Sequence, residues 1–230
     1  MTILLASIAA VGVAVAVLYG IPQVYRILQV WRWSRIKGKV ALTYDDGPDD
    51  VTTVALLDLL DELGAVATFY LVGSCGERRP GVLARLRASR HELGTHAHSH
   101  WNAWKTSPVY EYRDAMAAYQ SLAAVVEPTS PFRPPFGKVT VPTLLAMLRR
   151  GRRVEWWSVA TNDHADPVDD AAVIARRILD RGKTVVLMHC SHAESHLRAH
   201  TLALTRALVE QARVRGIELV TMKQLAACRL

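Results

Sequence analysis

Val40-Ala41-Leu42-Thr43-Tyr44-Asp45-Asp46-Gly47-Pro48 is the stretch on which the reading of this chain turns. A short apolar run ends in two adjacent carboxylates, and Gly47 and Pro48 then force a turn. Further on, His96-Ala97-His98-Ser99-His100 offers imidazoles four residues apart. One carboxylate and two histidines make a metal-ligand set that leaves a position open for water. The remaining carboxylate is free to take a proton from that water. These are the minimal parts for metal-assisted hydrolysis.

Outward from Val40, short apolar runs alternate with amphipathic ones. Strands are expected at 39–43, 67–72, 92–95, 130–133, 154–159, 184–189 and 217–222, with a last short turn over 223–227. Helices are expected at 51–63, 82–89, 109–126, 141–150, 171–181 and 196–215. Gly64, Gly151, Gly182 and Gly216 stand where helices should stop. Asp49 and Asp50 suit the capping of a helix that begins near Val51. The pattern is a βα repeat of about seven units with mostly parallel strands. In such folds ligand chemistry gathers at the carboxyl ends of strands. Asp45, Asp46, His96, Arg133, Asp163 and His189 all fall at or just past a strand end. Each alone has an ordinary explanation as a turn residue, a cap or a surface ion; their convergence on one rim does not.

The 230 residues suffice for one domain with a real core, and 50% apolar with 21% charged residues excludes a disordered chain. Ile3 to Ile21 carry no charge, a run of about 28 Å as a helix, close to the thickness of a bilayer core. No Lys or Arg precedes Arg26, as a signal peptide would require, so a membrane anchor over 1–21 is the expectation. A basic and aromatic juxtamembrane segment follows over 22–38, then a catalytic domain over 39–230. Arg26, Arg32, Arg35, Lys37 and Lys39 precede the first acid, Asp45. The net charge of +7 is therefore largely juxtamembrane, suited to anionic lipid headgroups and to a cytoplasmic position of the chain that follows. No aromatic and basic repeat or motif points to nucleic acid. Three cysteines without CxxC spacing exclude a disulfide framework, and Cys190 reads as the end of a buried strand. His192, His196 and His200 repeat every four residues and read as a solvated helix face. Nothing in the sequence fixes the number of subunits.

The motifs, in order, resemble those of the polysaccharide deacetylases of the NodB-homology type, carbohydrate esterase family 4, over about residues 39–227. The resemblance implies a distorted, incomplete (β/α)7 barrel, here preceded by one N-terminal transmembrane helix. It implies that Asp45 is the general base and that Asp46, His96 and His100 hold one divalent ion. Zinc is the first expectation, with cobalt, nickel or manganese as alternatives. In Arg133-Pro134-Pro135-Phe136-Gly137, the arginine would hold the base carboxylate ionised and the Phe136 amide would bind the oxyanion. Leu187-Met188-His189 would supply the general acid in His189 and an acyl pocket in Leu187. Asp163 would pair with that histidine. Trp157 and His164 are expected along the substrate wall. The chain departs from the family pattern at Ala97, Ala160 and His164; His98 should point away from the metal. The implied reaction removes acetyl, or formyl, from an amino sugar. The substrate expected from the charge pattern is a polyprenyl-phosphate-linked intermediate at the membrane; the alternative is an exported, tethered enzyme acting on peptidoglycan, chitin-like or exopolysaccharide chains. A catalytically silent sugar- or lipid-binding domain is the competing class, and retention of Asp45 and His189 argues against it.

Overall fold

The computed structural model describes residues 2–165 and 169–228. Helix α1 (Thr2–Ser34) opens the chain. There follow β1 (Lys39–Asp45), α2 (Thr52–Glu62), β2 (Thr68–Leu71), α3 (Gly73–Glu77), α4 (Pro80–Ala88), β3 (Glu92–Thr95) and α5 (Pro108–Ser121). Then come α6 (Val141–Arg149), β4 (Val159–Ala160), α7 (Ala171–Asp180), β5 (Val185–His189), α8 (Ser195–Val214), β6 (Glu218–Leu219) and α9 (Met222–Ala226).

The strands are parallel, in the order β3-β2-β1-β5-β4, with β6 beside the start of β1. β1 is central and buried on both faces, as its unbroken apolar run requires. Its register with β5 sets Thr43 against Leu187 and Asp45 against His189. Beyond β3 the wall continues through single bridges, Thr95 to Phe132 and Phe132 to Val154. The α/β alternation is therefore as expected, with two corrections. The strand expected over 130–133 is reduced to the bridge at Phe132. The strand expected over 154–159 divides: Val154 bonds on one side of the wall, and Val159 and Ala160 on the other. Gly64, Gly151, Gly182 and Gly216 all have positive φ, the left-handed conformation that ends a helix.

The gap left by that division is occupied by α1. Gln29 Nε2 donates to the Val154 carbonyl at 2.9 Å, and the Trp156 amide donates to Gln29 Oε1 at 3.1 Å. Thr184 Oγ1 donates to the Trp33 carbonyl at 3.0 Å. Trp33 and Ile36 are buried in the common core, and the Tyr25 ring meets that of Trp156 at 5.8 Å. Each hydrogen bond contributes about 1 kcal/mol net, but leaving the Val154 and Trp156 backbone groups unpaired would cost about 1–3 kcal/mol each. The segment expected over 22–38 is thus helical as far as Ser34 and packs on the barrel. Among the described residues one helical stretch, Ala9–Ser34, is long and apolar enough to cross a membrane.

Candidate active site

The loops that leave the carboxyl ends of β1, β3 and β5 converge on one cleft. Five non-glycine residues among those described have positive φ: Asp46, Ala97, His100, Phe136 and Asn162. All five lie in the loops that the sequence motifs mark. Strained backbone of this kind costs about 1–3 kcal/mol per residue and persists where the surroundings impose it.

Asp46, His96 and His100 each aim a ligand atom at one point, the three lying within 4.8 Å of one another. Asp46 Oδ1 is 3.0 Å from His100 Nε2 and 3.4 Å from His96 Nε2. It is a buried oxygen on which no donor among the described residues is aligned. His96 Nδ1 lies 2.7 Å from the Arg133 carbonyl. A carbonyl only accepts, so Nδ1 carries the proton and Nε2 presents its lone pair to the cleft. Burial pushes the His96 pKa down and keeps the ring neutral, against the pull of Asp45 and Asp46. For Asp46, burial opposes ionisation, but the imidazoles of His100, His96 and His189 hold its carboxyl well below the usual carboxylate range. Two imidazoles facing an ionised carboxylate with an unpaired oxygen make a donor set that fits a divalent cation.

Asp45 lies beside this cluster and is buried, with Oδ2 3.8 Å from His96 Nε2. Arg133, also buried, donates from Nη1 to Asp45 Oδ1 at 2.9 Å and to Thr43 Oγ1 at 2.7 Å, and from Nη2 to the Trp156 carbonyl at 2.9 Å. Its guanidinium lies 3.9 Å from the centre of the Tyr70 ring. So fixed, the fully buried guanidinium balances the charge of Asp45, whose side chain keeps a small exposed edge toward the cleft.

On the far side stands a second carboxylate and histidine pair. His189 Nδ1 donates to Asp163 Oδ1 at 2.8 Å, and its backbone amide donates to Oδ2 at 2.8 Å. Burial alone would discharge His189, but Asp163 outweighs it, with help from Asp46 and Asp45, and the pKa is pushed up to about 9. Burial likewise disfavours an ionised Asp163, yet the His189 and His192 hydrogen bonds hold it far below the usual range. His189 Nε2 is left facing the cleft, 4.0 Å from Asp46 Oδ2.

The other expected residues fall as follows. Phe136 is exposed and lies against the His100 ring at 4.8 Å. Leu187 is buried in β5, and its carbonyl accepts from Thr161 Oγ1 at 3.0 Å. His164 stands edge-on to His189 at 4.9 Å, on the open side of the cleft. Trp157 packs behind the Phe136 loop, where a Cβ on Gly137 would strike its ring, and Arg26 lies over that ring at 5.3 Å. His98 turns away to Ser121 Oγ at 3.0 Å, as the motif spacing implied. The loop holding it, where Ala97 departs from the family pattern, is tied by the Gly73 amide to the Ala97 carbonyl at 2.9 Å. Cys190 is buried, its thiol pKa raised by burial, and its Sγ donates to the Asp45 carbonyl at 3.2 Å. Asp49 caps α2, accepting from the Val51 amide at 2.8 Å.

The expected histidine face does not form. His192 precedes α8 and is buried; its Nε2 is 2.9 Å from Thr201 Oγ1 and 3.5 Å from Asp163 Oδ2. His200 is buried as well. Thr201 Oγ1 donates to Asp163 Oδ2 at 3.0 Å. His192 and Thr201 thus complete the surroundings of Asp163, and sequence reasoning missed both.

A barrel with a three-donor site between a buried arginine-held carboxylate and a carboxylate-held histidine defines a class of hydrolase, and comparison with known proteins places it. The polysaccharide deacetylase family profile matches residues 34–154. The chain is 30% identical over 193 residues to a peptidoglycan-N-acetylglucosamine deacetylase of Bacillus cereus, covering 82% of this chain and 68% of the relative. It is 27% identical over 196 residues to a chitooligosaccharide deacetylase of Bradyrhizobium sp., covering 81% and 90%. A crystal structure of a peptidoglycan N-acetylglucosamine deacetylase superposes with a TM-score of 0.74 at 28% identity, covering 82% of this chain and 88% of that one. The chain belongs to the polysaccharide deacetylase family, carbohydrate esterase family 4. Its activity class follows: it is a carbohydrate N-deacetylase.

Proposed function

We propose that the protein hydrolyses the N-acyl group, acetyl or formyl, of an amino sugar held at a membrane surface. Asp46, His96 and His100 would hold a divalent ion, zinc by the nature of the donors, which would supply Lewis acidity to the acyl carbonyl. Asp45 takes the proton of the attacking water, and Arg133 and Thr43 fix the angle from which it does so. The Phe136 amide donates to the oxyanion. His189 delivers its Nε2 proton to the leaving nitrogen, while Asp163 keeps the other nitrogen protonated and the ring charged. Leu187 lines the acyl side, and His164 and Trp157 bound the sugar side.

The observation that carries this reading is the pair of flanking dyads. Arg133–Asp45 gives a carboxylate ion-paired to a buried guanidinium, and Asp163–His189 a histidine that stays charged, each within 4.0 Å of the same donor cluster. The test is amine release from N-acetylglucosamine oligomers with and without a chelator. Activity should vanish with chelator and return with zinc; chelator-resistant turnover would overturn the metal assignment.

The finer reading takes α1 as a membrane span and a polyprenyl-phosphate-linked amino sugar on the cytoplasmic leaflet as substrate. It is supported by the apolar run to Ile21 and by the basic residues that follow it. The names of the relatives favour a second reading, a tethered enzyme outside the cytoplasm acting on a glycan. Fusion reporters on the C-terminus decide: a cytoplasmic signal supports the first, an external one the second.

A further inference from the structure

The path of α1 relative to the barrel bears on which sugars the cleft can reach. Ser34, at the end of the helix, lies just before the start of β1, and the Trp33 carbonyl is bonded to Thr184 ahead of β5. Both are at the amino ends of the strands, the base of the barrel. Tyr19, fifteen residues earlier in the helix, packs edge-on against Trp104 at 5.8 Å. Trp104 belongs to the loop that follows His100, at the carboxyl ends of the strands. Those fifteen residues rise about 22 Å as an α-helix, and the seven residues of β1 rise about 23 Å. The helix therefore runs antiparallel to the strands over the full height of the barrel, and its apolar part leaves from the catalytic rim, not from the base.

No spacer separates the two. The first charged residue is Arg26, and Tyr19, seven residues before it, is already in contact with the rim. The run is also bare: Val11, Val13, Val15 and Val17 are exposed along it. Around the cleft the rim carries exposed aromatic rings, Trp101 at 61%, Trp104 at 47%, Tyr110 at 68% and Phe136 at 54%. At the base, the turns at 181–183 and 213–218 carry Arg181, Lys183, Arg213, Arg215 and Glu218. A cation stands among the rim aromatics: Lys138 Nζ lies 4.5 Å from the Trp104 ring centre. Tryptophan and tyrosine with interspersed cations are the side chains that settle at the headgroup level of a bilayer.

We propose that the catalytic rim faces the bilayer, with Trp101, Trp104 and Tyr110 seated among the lipid headgroups beside the point where α1 enters. This rests on the reading of α1 as a span, and holds for either leaflet. The cleft then opens into a layer only a few ångströms deep above the membrane. Its substrate is an amino sugar carried next to the lipid surface, such as the first sugar on a lipid phosphate, rather than one in a glycan strand remote from it.

The test uses the full chain in phosphatidylcholine and phosphatidylglycerol vesicles. One fluorophore is placed by Trp101→Cys at the rim, or by Val109→Cys, and another by Val214→Cys at the base, with Cys75 and Cys228 replaced by serine. Lipids carrying a headgroup nitroxide should quench the rim label at least about five-fold more than the base label. Equal quenching, or quenching of the base alone, would overturn the orientation. Alkaline carbonate extraction is run on the same vesicles. Release of the protein would remove the span itself, whereas retention with an unquenched rim would remove only the orientation.

Discussion

His96 and His189 begin alike and end differently. Each stands at the carboxyl end of a parallel strand, each is held through Nδ1, and each turns Nε2 toward Asp46. His96 gives its Nδ1 proton to a carbonyl, and burial keeps it neutral. His189 gives its own to the Asp163 carboxylate, and that charge holds the ring protonated to about pH 9 against the same burial. The acceptor behind the ring thus decides whether an imidazole offers a lone pair or a proton. The proposed metal half and acid half would be made from the same residue types by exchanging a carbonyl for a carboxylate.

The largest effect expected is on the metal half. His96→Ala and His100→Ala should abolish metal binding and lower turnover by at least about 10³-fold, with the fold retained, since the ion contributes several kcal/mol to the reaction. Metal analysis with circular dichroism checks this, and full occupancy in both variants would dissolve the distinction between the halves. Asp45→Asn should retain the metal and lose about 10²–10⁴ in rate, whereas Asp46→Asn should lose both. Near-normal rates in Asp45→Asn would place the base elsewhere.

The acid half is tested by pH. His189 is raised above its ordinary value, so its charged, proton-donating form persists below about 9 and is lost as pH rises through 9. The alkaline limb of kcat/KM should fall near that pH. Stability linked to this pair follows the same sign, full below the unfolded histidine value near 6.5 and lost as pH passes the folded one. Asp163→Asn removes the charge and should bring the limb down by at least about one unit, with a rate loss of about 10²-fold. An unmoved limb would mean that the acid is not His189. The smallest effect belongs to His192→Ala and Thr201→Val, which leave Asp163 in place but loosen it. A loss of about ten-fold with a small downward shift of the limb marks them as positioning residues; a rate loss with no shift would mark them as structural.

The residues of both halves were legible because each sits in a short motif beside a strand end, where type and spacing suffice. Asp163 was legible despite the change to Ala160 and His164 around it. What supports them was not. The spacing of His192, His196 and His200 suggested one helical face, but α8 begins at Ser195, and the turn before it carries His192 inward to Asp163. The run 154–159 has the composition of one strand; its division depends on Gln29, 125 residues away, bonding Val154 across the gap. Hydropathy could read α1 as apolar and basic, but the partner that makes Gln29 and Trp33 part of the wall lies outside any local window. Helix α3, five residues long and led by Gly73, carried no periodic signal.

That wall has a practical consequence for anyone wishing to detach the enzyme from its stem. A protease cutting between Tyr25 and Trp33 would strip the barrel of a stave along with its tether, baring the Val154 carbonyl and the Trp156 amide. A fragment meant to stay folded has to keep the helix from Tyr25 onward, and with it the exposed apolar flank of Ile27, Leu28 and Trp31. Trimming for solubility and trimming for integrity therefore pull in opposite directions at the same helix. Polar substitutions on that outer flank are the route that satisfies both.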